Sequence, residues 1–477
     1  MKYLLILPGV LVLLVLIAVV RTLVSPRKTS GYQPPQTDEA EALRLAGKLS
    51  KMIQVDTTSH AGGDDPARFR AFHKTLAELF PRVFSQLEKT EIDGNLLFYW
   101  KGRSQERPIL LMSHQDVVPA EGAWSHAPFS GDIADGKVWG RGASDTKCSV
   151  MAFFEAAEQL LAEGYTPPTD VYLASSCTEE WAGDGAPKLV AELQRRGVEL
   201  FLVCDEGGAI ISEPIGGIPG NFAMVGVFEK GKADVKFTAK STGGHASAPG
   251  KHTPIARLAA FVTEVETHSP FKKKLLPEVA AMFRTLAPYA SSFGLRLLLG
   301  NLWLFAPLLK LVLPAVSAQA GAMLRTTIAF TTQSGSDAYN VIPQEATLGA
   351  NMRFIPHQGE QESLAIIQTL AEKHGLSTEV LHANDFTPPV DIHGEAFTLF
   401  TRAISETFPG LAASPYVMTG ATDAQFYQPI CKSCIRFAPV IYGPEQMRGM
   451  HGLNENIEYR CLPGAVRFYQ NLIRAEK

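Results

Sequence analysis

The stretch "ILLMSHQDVVPA" (109–120) ends an apolar run with an imidazole, His114, and a carboxylate, Asp116, two residues apart. Residues i and i+2 at a strand end project to the same side. A metal-bound histidine needs such a pair, with one ring nitrogen for the ion and the other held by a carboxylate. The alternative is a strand-end histidine beside a solvated acid, and this stretch alone leaves both open. Groups of the same chemistry recur at other boundaries. "VWGRGASDTK" (138–147) puts Asp145 at the start of a helix, and "LASSCTEEWAGDG" (173–185) ends a strand with Glu179 and Glu180. "LFLVCDEGG" (200–208) ends another with Asp205 and Glu206, and "GMHGLNENIE" (449–458) sets His451 among glycine and asparagine. Each could be a loop acid; together they form a pattern.

Two imidazoles and several carboxylates without clustered cysteines suit zinc or a similar divalent ion such as cobalt. One carboxylate can bridge two ions about 4 Å apart, and Asp145 is the natural bridge. Each ion then takes one histidine and one further carboxylate, leaving a water between them to activate. The adjacent glutamates divide the work. Glu180 can bind metal while Glu179 stays free as general base, because coordination brings the pKa of water to about 7.

These groups need a scaffold that gathers strand ends. "RPILLM" (107–112), "TDVYLASS" (169–176) and "VELFLVC" (198–204) read as buried strands, and the apolar residues of 145–164 recur at helical spacing. Strand, helix, strand indicates an α/β domain with a mostly parallel sheet, whose ligands collect beyond the carboxyl ends of the strands. Residues 231–247 and 345–356 instead alternate like half-exposed strands, with helices over 253–267 and 360–375 and a strand over 377–383. That order predicts an inserted α+β, ferredoxin-like lid or dimerisation domain over 229–386, between catalytic segments 41–228 and 387–477. A homodimer is an accompanying expectation.

At 477 residues, with 46% hydrophobic and 19% charged residues, the chain can fill a large core. A net charge of −4 and the lack of a basic stripe argue against nucleic acid. Six cysteines are too few for a disulfide framework, and Cys431 and Cys434 read as packing thiols or one local disulfide. Residues 3–20, "YLLILPGVLVLLVLIAVV", carry no charge and end without a small-residue cleavage site, so residues 1–21 read as an uncleaved membrane anchor. Residues 22–40 follow as a polar linker, and a chain starting near Thr37 is expected to be soluble and active. The apolar stretch 289–325 is interrupted by Arg296, Lys310, Pro307 and Pro314, which argues against a second span.

The run HQDVVP, GRGASDTK, TEEWAG, DEGG, STGGHASAP, NVIP and MHGLNENI resembles the zinc-dependent aminoacylase and carboxypeptidase family, from about residue 40 to the C-terminus. The anchor, DEGG and the apolar insert look most like its carboxypeptidase S and N-fatty-acyl-amino-acid hydrolase branch. The resemblance implies two zinc ions. His114, Asp145 and Asp205 would hold one, and Asp145, Glu180 and His451 the other, with Asp116 orienting His114 and Glu179 as base. Glu206 is the alternative ligand to Asp205, whose shorter reach suits a site at the strand end. The resemblance also gives His245 the task of polarising the scissile carbonyl, although by itself it reads as a turn histidine. Asn340 and Arg353 become substrate binders, Arg353 gripping a carboxylate by a two-pronged bond. Gln425 in "GATDAQFY" departs from the family's pattern, in which an arginine often stands after TDA.

The expected function is hydrolysis of an amide bond next to a free carboxylate, in a short peptide or an N-acyl amino acid. The apolar 295–316 reads either as a buried helical hairpin or dimer contact, or as a greasy wall beside the site that would select long acyl chains. A catalytically silent binding protein should have lost a ligand or the base, and a serine hydrolase should show a GxSxG elbow; neither feature is present. Relatives that act in secreted or lumenal compartments place the body outside the cytoplasm.

Overall fold

The computed structural model describes residues 6–30, 32, 38–62 and 66–475. Its centre is an eight-stranded sheet in the order Glu88–Ile92, Asn95–Trp100, Val171–Ser175, Ile109–Met112, Leu202–Ser212, Cys434–Tyr442, Asn221–Glu229, Ala412–Met418. The middle is parallel: Ile109–Met112 pairs in parallel with Val171–Ser175 and Leu202–Ser212, and Cys434–Tyr442 with Leu202–Ser212. Strand Ile109–Met112 is buried throughout, which explains its uninterrupted apolar run. Helix Lys147–Ala162 is buried on nearly every side and packs against the C-terminal helix Leu462–Arg474, Phe153 meeting Tyr469 edge to face.

The second sheet has the order Thr327–Ser334, Glu345–Phe354, Gly231–Lys240, Ser377–Asn384, all antiparallel. Strand Gly231–Lys240 alternates buried and half-exposed residues, as its sequence alternation requires. Helices Pro254–Thr267 and Glu360–Lys373 cover one face, closing a separate core around Phe237, Phe261, Met352 and Ile367. Residues 277–324 depart from the expected inserted domain. Helix Pro277–Leu286 packs on strand Ala412–Met418, and Val279, Phe283, Leu299, Leu309 and Leu324 join the large core. Chain order does not say which sheet an amphipathic helix will face, and here the larger apolar surface wins.

The N-terminal helix runs Ile6–Val24, and part of the expected span 3–20 lies outside the described residues. Among the described residues no single helix is long and apolar enough to cross a membrane. Helices Phe293–Gly300 and Leu302–Ala315 pass the test of length and composition only together, bent by 109°. Part of the expected linker also lies outside the described residues; what is described follows the body rather than spanning solvent. The Lys28 amide donates to Pro288 O (2.9 Å), Ser30 Oγ to Asn221 O (3.2 Å), and Tyr32 packs edge to face on Phe408. All six cysteines are free.

Candidate metal centre

Four separate segments bring the ligand-type side chains together. His114 leaves strand Ile109–Met112 with its ring 1% exposed, Nε2 lying 3.1 Å from Asp145 Oδ1. The other Asp145 oxygen lies 3.1 Å from His451 Nε2, which is also 3.0 Å from Glu180 Oε2. Asp145 therefore stands between the two imidazoles, one oxygen toward each. His114, Asp145 and Glu180 each offer an atom within 4.8 Å of the others. Ligand atoms about 2 Å from a shared tetrahedral ion lie roughly 3.3 Å apart, so these spacings suit ligands. Buried Glu180 Oε1 has no hydrogen-bond partner, and an unpaired carboxylate oxygen is costly without a cation. The donor set fits metal.

The charges agree with that fit. Burial opposes charge on His114, but its bonds to Asp116 and Asp145 outweigh it and raise the pKa well above the usual value. Burial also opposes ionisation of Asp145, and bonds from His114 and His451 prevail and hold it low. The bonds to Asp145 and Glu180 lift His451 to about 10. Burial, then the Asp145 charge, pushes Glu180 up. Burial likewise raises Glu179 well above its usual value, with Glu206, Asp423 and Glu180 adding to it. Crowded carboxylates here await positive charge.

Asp116 does more than support the histidine. The His114 Nδ1 bond goes to the backbone carbonyl of Asp116 (2.9 Å), with carboxylate Oδ1 at 3.4 Å. That carboxylate accepts from the Glu179 amide (3.2 Å), the Glu180 amide (3.1 Å) and Ser59 Oγ (2.6 Å). It therefore holds the short 3-10 turn Glu179–Trp181 against the histidine. Glu179 Oε2 stands back, 3.9 Å from His114 Nε2.

At DEGG the structure differs from the expected strand end. The strand continues to Ser212, and its pairing with Cys434–Tyr442 shifts register after Asp205. A Cβ at Gly208 would collide with the carbonyls of Met224 and Arg436, so the crossing requires glycine. Asp205 is committed elsewhere: Oδ1 accepts from the Glu206 amide and Oδ2 from the Ala424 amide, each at 2.8 Å. Glu206 lies beside Asp145. Burial first, then the Asp145 charge, pushes its carboxyl well up, and it lines the same cavity as Asp145.

Sequence reasoning passed over Glu455. Fully buried, it accepts from the Ser144 amide (2.8 Å), the Asp145 amide (2.9 Å), the Gly142 amide (3.0 Å) and Arg141 Nη1 (2.9 Å). One carboxylate thus fixes the loop that aims Asp145. The available signal was its place in GLNENIE, four residues after His451, which itself adopts φ of 54°.

His245, Asn340 and Arg353 are not brought into this cluster. His245 is exposed, bonds Ser247 Oγ (2.7 Å) and pairs across a two-residue ladder with Val341. Asn340 O accepts from the Ala246 amide (3.0 Å), and Arg353 Nε donates to Asn351 Oδ1 (3.0 Å) on the small sheet. Gln425 Nε2 donates to Thr422 O (3.1 Å) within its own loop.

A cavity of about 320 Å³ is lined by Ser144, Asp145, Glu206, Ser212, Glu213 and Gln319 and by Ile211, Met224, Tyr416, Tyr442, Met447 and Met450. Its walls are mostly apolar. None of residues 295–316 lines it, and Leu299, Leu302 and Leu309 pack into the large core, so this stretch does not wall the cavity.

Residues 110–475 match the sequence pattern of Peptidase family M20/M25/M40. The N-fatty-acyl-amino acid synthase/hydrolase PM20D1 of Xenopus tropicalis is 33% identical over 484 residues, covering 97% of this chain and 93% of the relative. The probable carboxypeptidase S-like 2 of Dictyostelium discoideum is 31% identical over 481 residues, covering 98% and 92%. Among solved structures, the M20 family metallo-carboxypeptidase Sso-CP2 from Sulfolobus solfataricus superposes with a TM-score of 0.67 at 16% identity, covering 92% of this chain and 99% of that one. The chain is a metallohydrolase of peptidase family M20/M25/M40.

Proposed function

We propose that this enzyme hydrolyses the amide bond of N-acyl amino acids carrying long acyl chains, with two zinc ions at the cluster. The observation that carries the reading is the mostly apolar cavity that Asp145 and Glu206 help to line. Burying each methylene there is worth roughly 0.8 kcal/mol, which favours long chains. His114, Asp145 and Glu206 would hold one ion, and Asp145, Glu180 and His451 the other. Such ions polarise a carbonyl and bring the pKa of bound water to about 7.

Glu179 receives the proton that the attacking water gives up as its oxygen bonds to the acyl carbon. When the carbon–nitrogen bond breaks, Glu179 passes that proton to the departing amine. Asp116 positions Glu179 through its amide and His114 through the strand end. Arg353 and Asn340 bind the amino acid's carboxylate, and His245 polarises the scissile carbonyl. These three reach the cluster by closure of the small domain or from a second copy; mass measurement in solution with and without substrate separates the two.

The N-terminal helix anchors the enzyme to a membrane, with the body on the extracytoplasmic side. Val12, Leu16, Val20 and Leu23 lie more than half exposed on that helix, which supports the reading. Protease added to intact cells would reach such a body. The test of substrate class is kcat/KM across N-acyl amino acids from acetyl to palmitoyl, which should rise with chain length until the cavity is filled. A flat or falling series, with good turnover of dipeptides, favours the carboxypeptidase reading.

A further inference from the structure

Beneath the end of the N-terminal helix, Arg21, Arg284 and Arg296 line one cavity of about 320 Å³ together with Thr22, Ser25 and Asn301. A neighbouring cavity of about 550 Å³ shares Arg21 and Arg284 and adds Lys274, Lys310 and Trp303. Five cationic side chains thus line two adjoining hollows, and among the described residues no carboxylate lines either. Arg296 Nη2 donates to the Thr22 and Ser25 carbonyls (3.1 and 2.8 Å), and Asn301 Nδ2 to Thr22 Oγ1 (2.9 Å). These bonds fasten the helix to the body with the arginine side chains gathered between them. Like charges so placed repel, and a multivalent oxyanion would relieve them.

The surroundings say which oxyanion. Val24, 75% exposed, lines the first hollow and Trp303, 48% exposed, the second; on the same two helices Leu23, Leu308 and Leu311 are 67%, 45% and 69% exposed. A basic pocket bordered by exposed apolar helices and an exposed tryptophan matches the layering of a bilayer surface, with headgroups beside acyl chains. We propose that the Arg21–Arg284–Arg296 pocket binds the phosphate of an anionic membrane phospholipid, whose tails lie along helices Ile6–Val24 and Leu302–Val316. The site rests on the membrane reading above and adds a headgroup preference to it.

The test uses the full chain in mild detergent. Dioctanoyl phosphatidylglycerol at about 100-fold above its Kd should raise the melting temperature by roughly 2–5 °C. Dioctanoyl phosphatidylcholine and inorganic phosphate should shift it by less than a third of that. Arg284→Gln, at an exposed position, should weaken the phosphatidylglycerol effect about tenfold in concentration while hydrolysis of a soluble substrate is unchanged. Arg21→Gln should do the same and stands in if the first variant folds poorly. Equal shifts with phosphatidylcholine, or an equal shift with phosphate alone, would overturn the proposal. Flotation of the full chain with pure phosphatidylcholine vesicles reads anchoring separately, so loss of headgroup preference and loss of anchoring give different results.

Discussion

Glu179 and Glu180 are adjacent, yet the turn they share separates them: Glu180 Oε2 lies 3.0 Å from His451, while Glu179 Oε2 lies 3.9 Å from His114. A base that handles protons without ligating metal should be removable at little cost to metal binding. Glu179→Gln should retain about two ions per chain by elemental analysis and lose roughly 10²–10⁴ in kcat, the range for a general base. A variant that lost metal along with activity would make Glu179 a ligand. The pair at 205 and 206 separates likewise. Glu206→Gln should lower metal content after dialysis. Asp205→Asn should keep the metal and cost about 1–3 kcal/mol of stability, since one amide would lose its acceptor. The choice of Asp205 from sequence rested on reach alone. The register shift at Gly207–Gly208 and the Ala424 amide that Asp205 accepts from are both set by distant segments and were not legible in DEGG itself. Glu455 was illegible for a similar reason, because its partners are backbone amides some 310 residues earlier in the chain. The histidines and acids, by contrast, stood out by type and by their position at the ends of apolar runs.

Between elements, the loop carrying Thr422 and Ala424 is held by a buried ion pair. Arg436 Nε donates to Glu229 Oε1 at 2.8 Å, the two side chains being 0% and 1% exposed, and the Thr422 amide donates to the same oxygen at 3.1 Å. The loop's Ala424 amide then donates to Asp205 Oδ2 (2.8 Å), next in sequence to Glu206. Removing one member of a buried pair leaves an uncompensated charge and costs about 3–5 kcal/mol. Arg436→Met should therefore lose that much by denaturant unfolding, and the double variant with Glu229→Gln should recover part of it. If the single variant is as stable as the parent, the pair is not what holds the loop. Periodicity revealed the strands and helices on both sides of this junction, because each buries a face of its own. It could not show that residues 277–324 leave the small domain for the large sheet, since that depends on competition between two apolar surfaces.

The metal cluster and the apolar helices make the whole molecule sensitive to what binds it. Asp145, Glu179, Glu180 and Glu206 are partly buried and oppose one another's charge, so chelation should lower the melting temperature and added zinc restore it; an unchanged melting curve would mean that the cluster is not the binding site. The N-terminal helix raises the opposite issue, removal of protein rather than of metal. From sequence, a chain starting near Thr37 should be soluble. The exposed Trp303, Leu308 and Leu311 of helix Leu302–Val316, uncovered even with the N-terminal helix in place, lead to a different prediction. Losing that helix would also uncover Asn301, now 2% exposed and bonded to Thr22. Apolar patches of this size on a monomer mark interaction surfaces or aggregation sites. The shortened chain should therefore still float with phosphatidylcholine vesicles, more weakly than the full chain, and should aggregate in detergent-free buffer. Leu308→Gln together with Leu311→Gln in the shortened chain should abolish flotation while kcat/KM on a short-chain substrate stays within about twofold, since surface substitutions away from such features seldom exceed 0.5 kcal/mol. A shortened chain that stays monomeric in buffer and ignores vesicles would show that the exposed face of Leu302–Val316 does not bind bilayers.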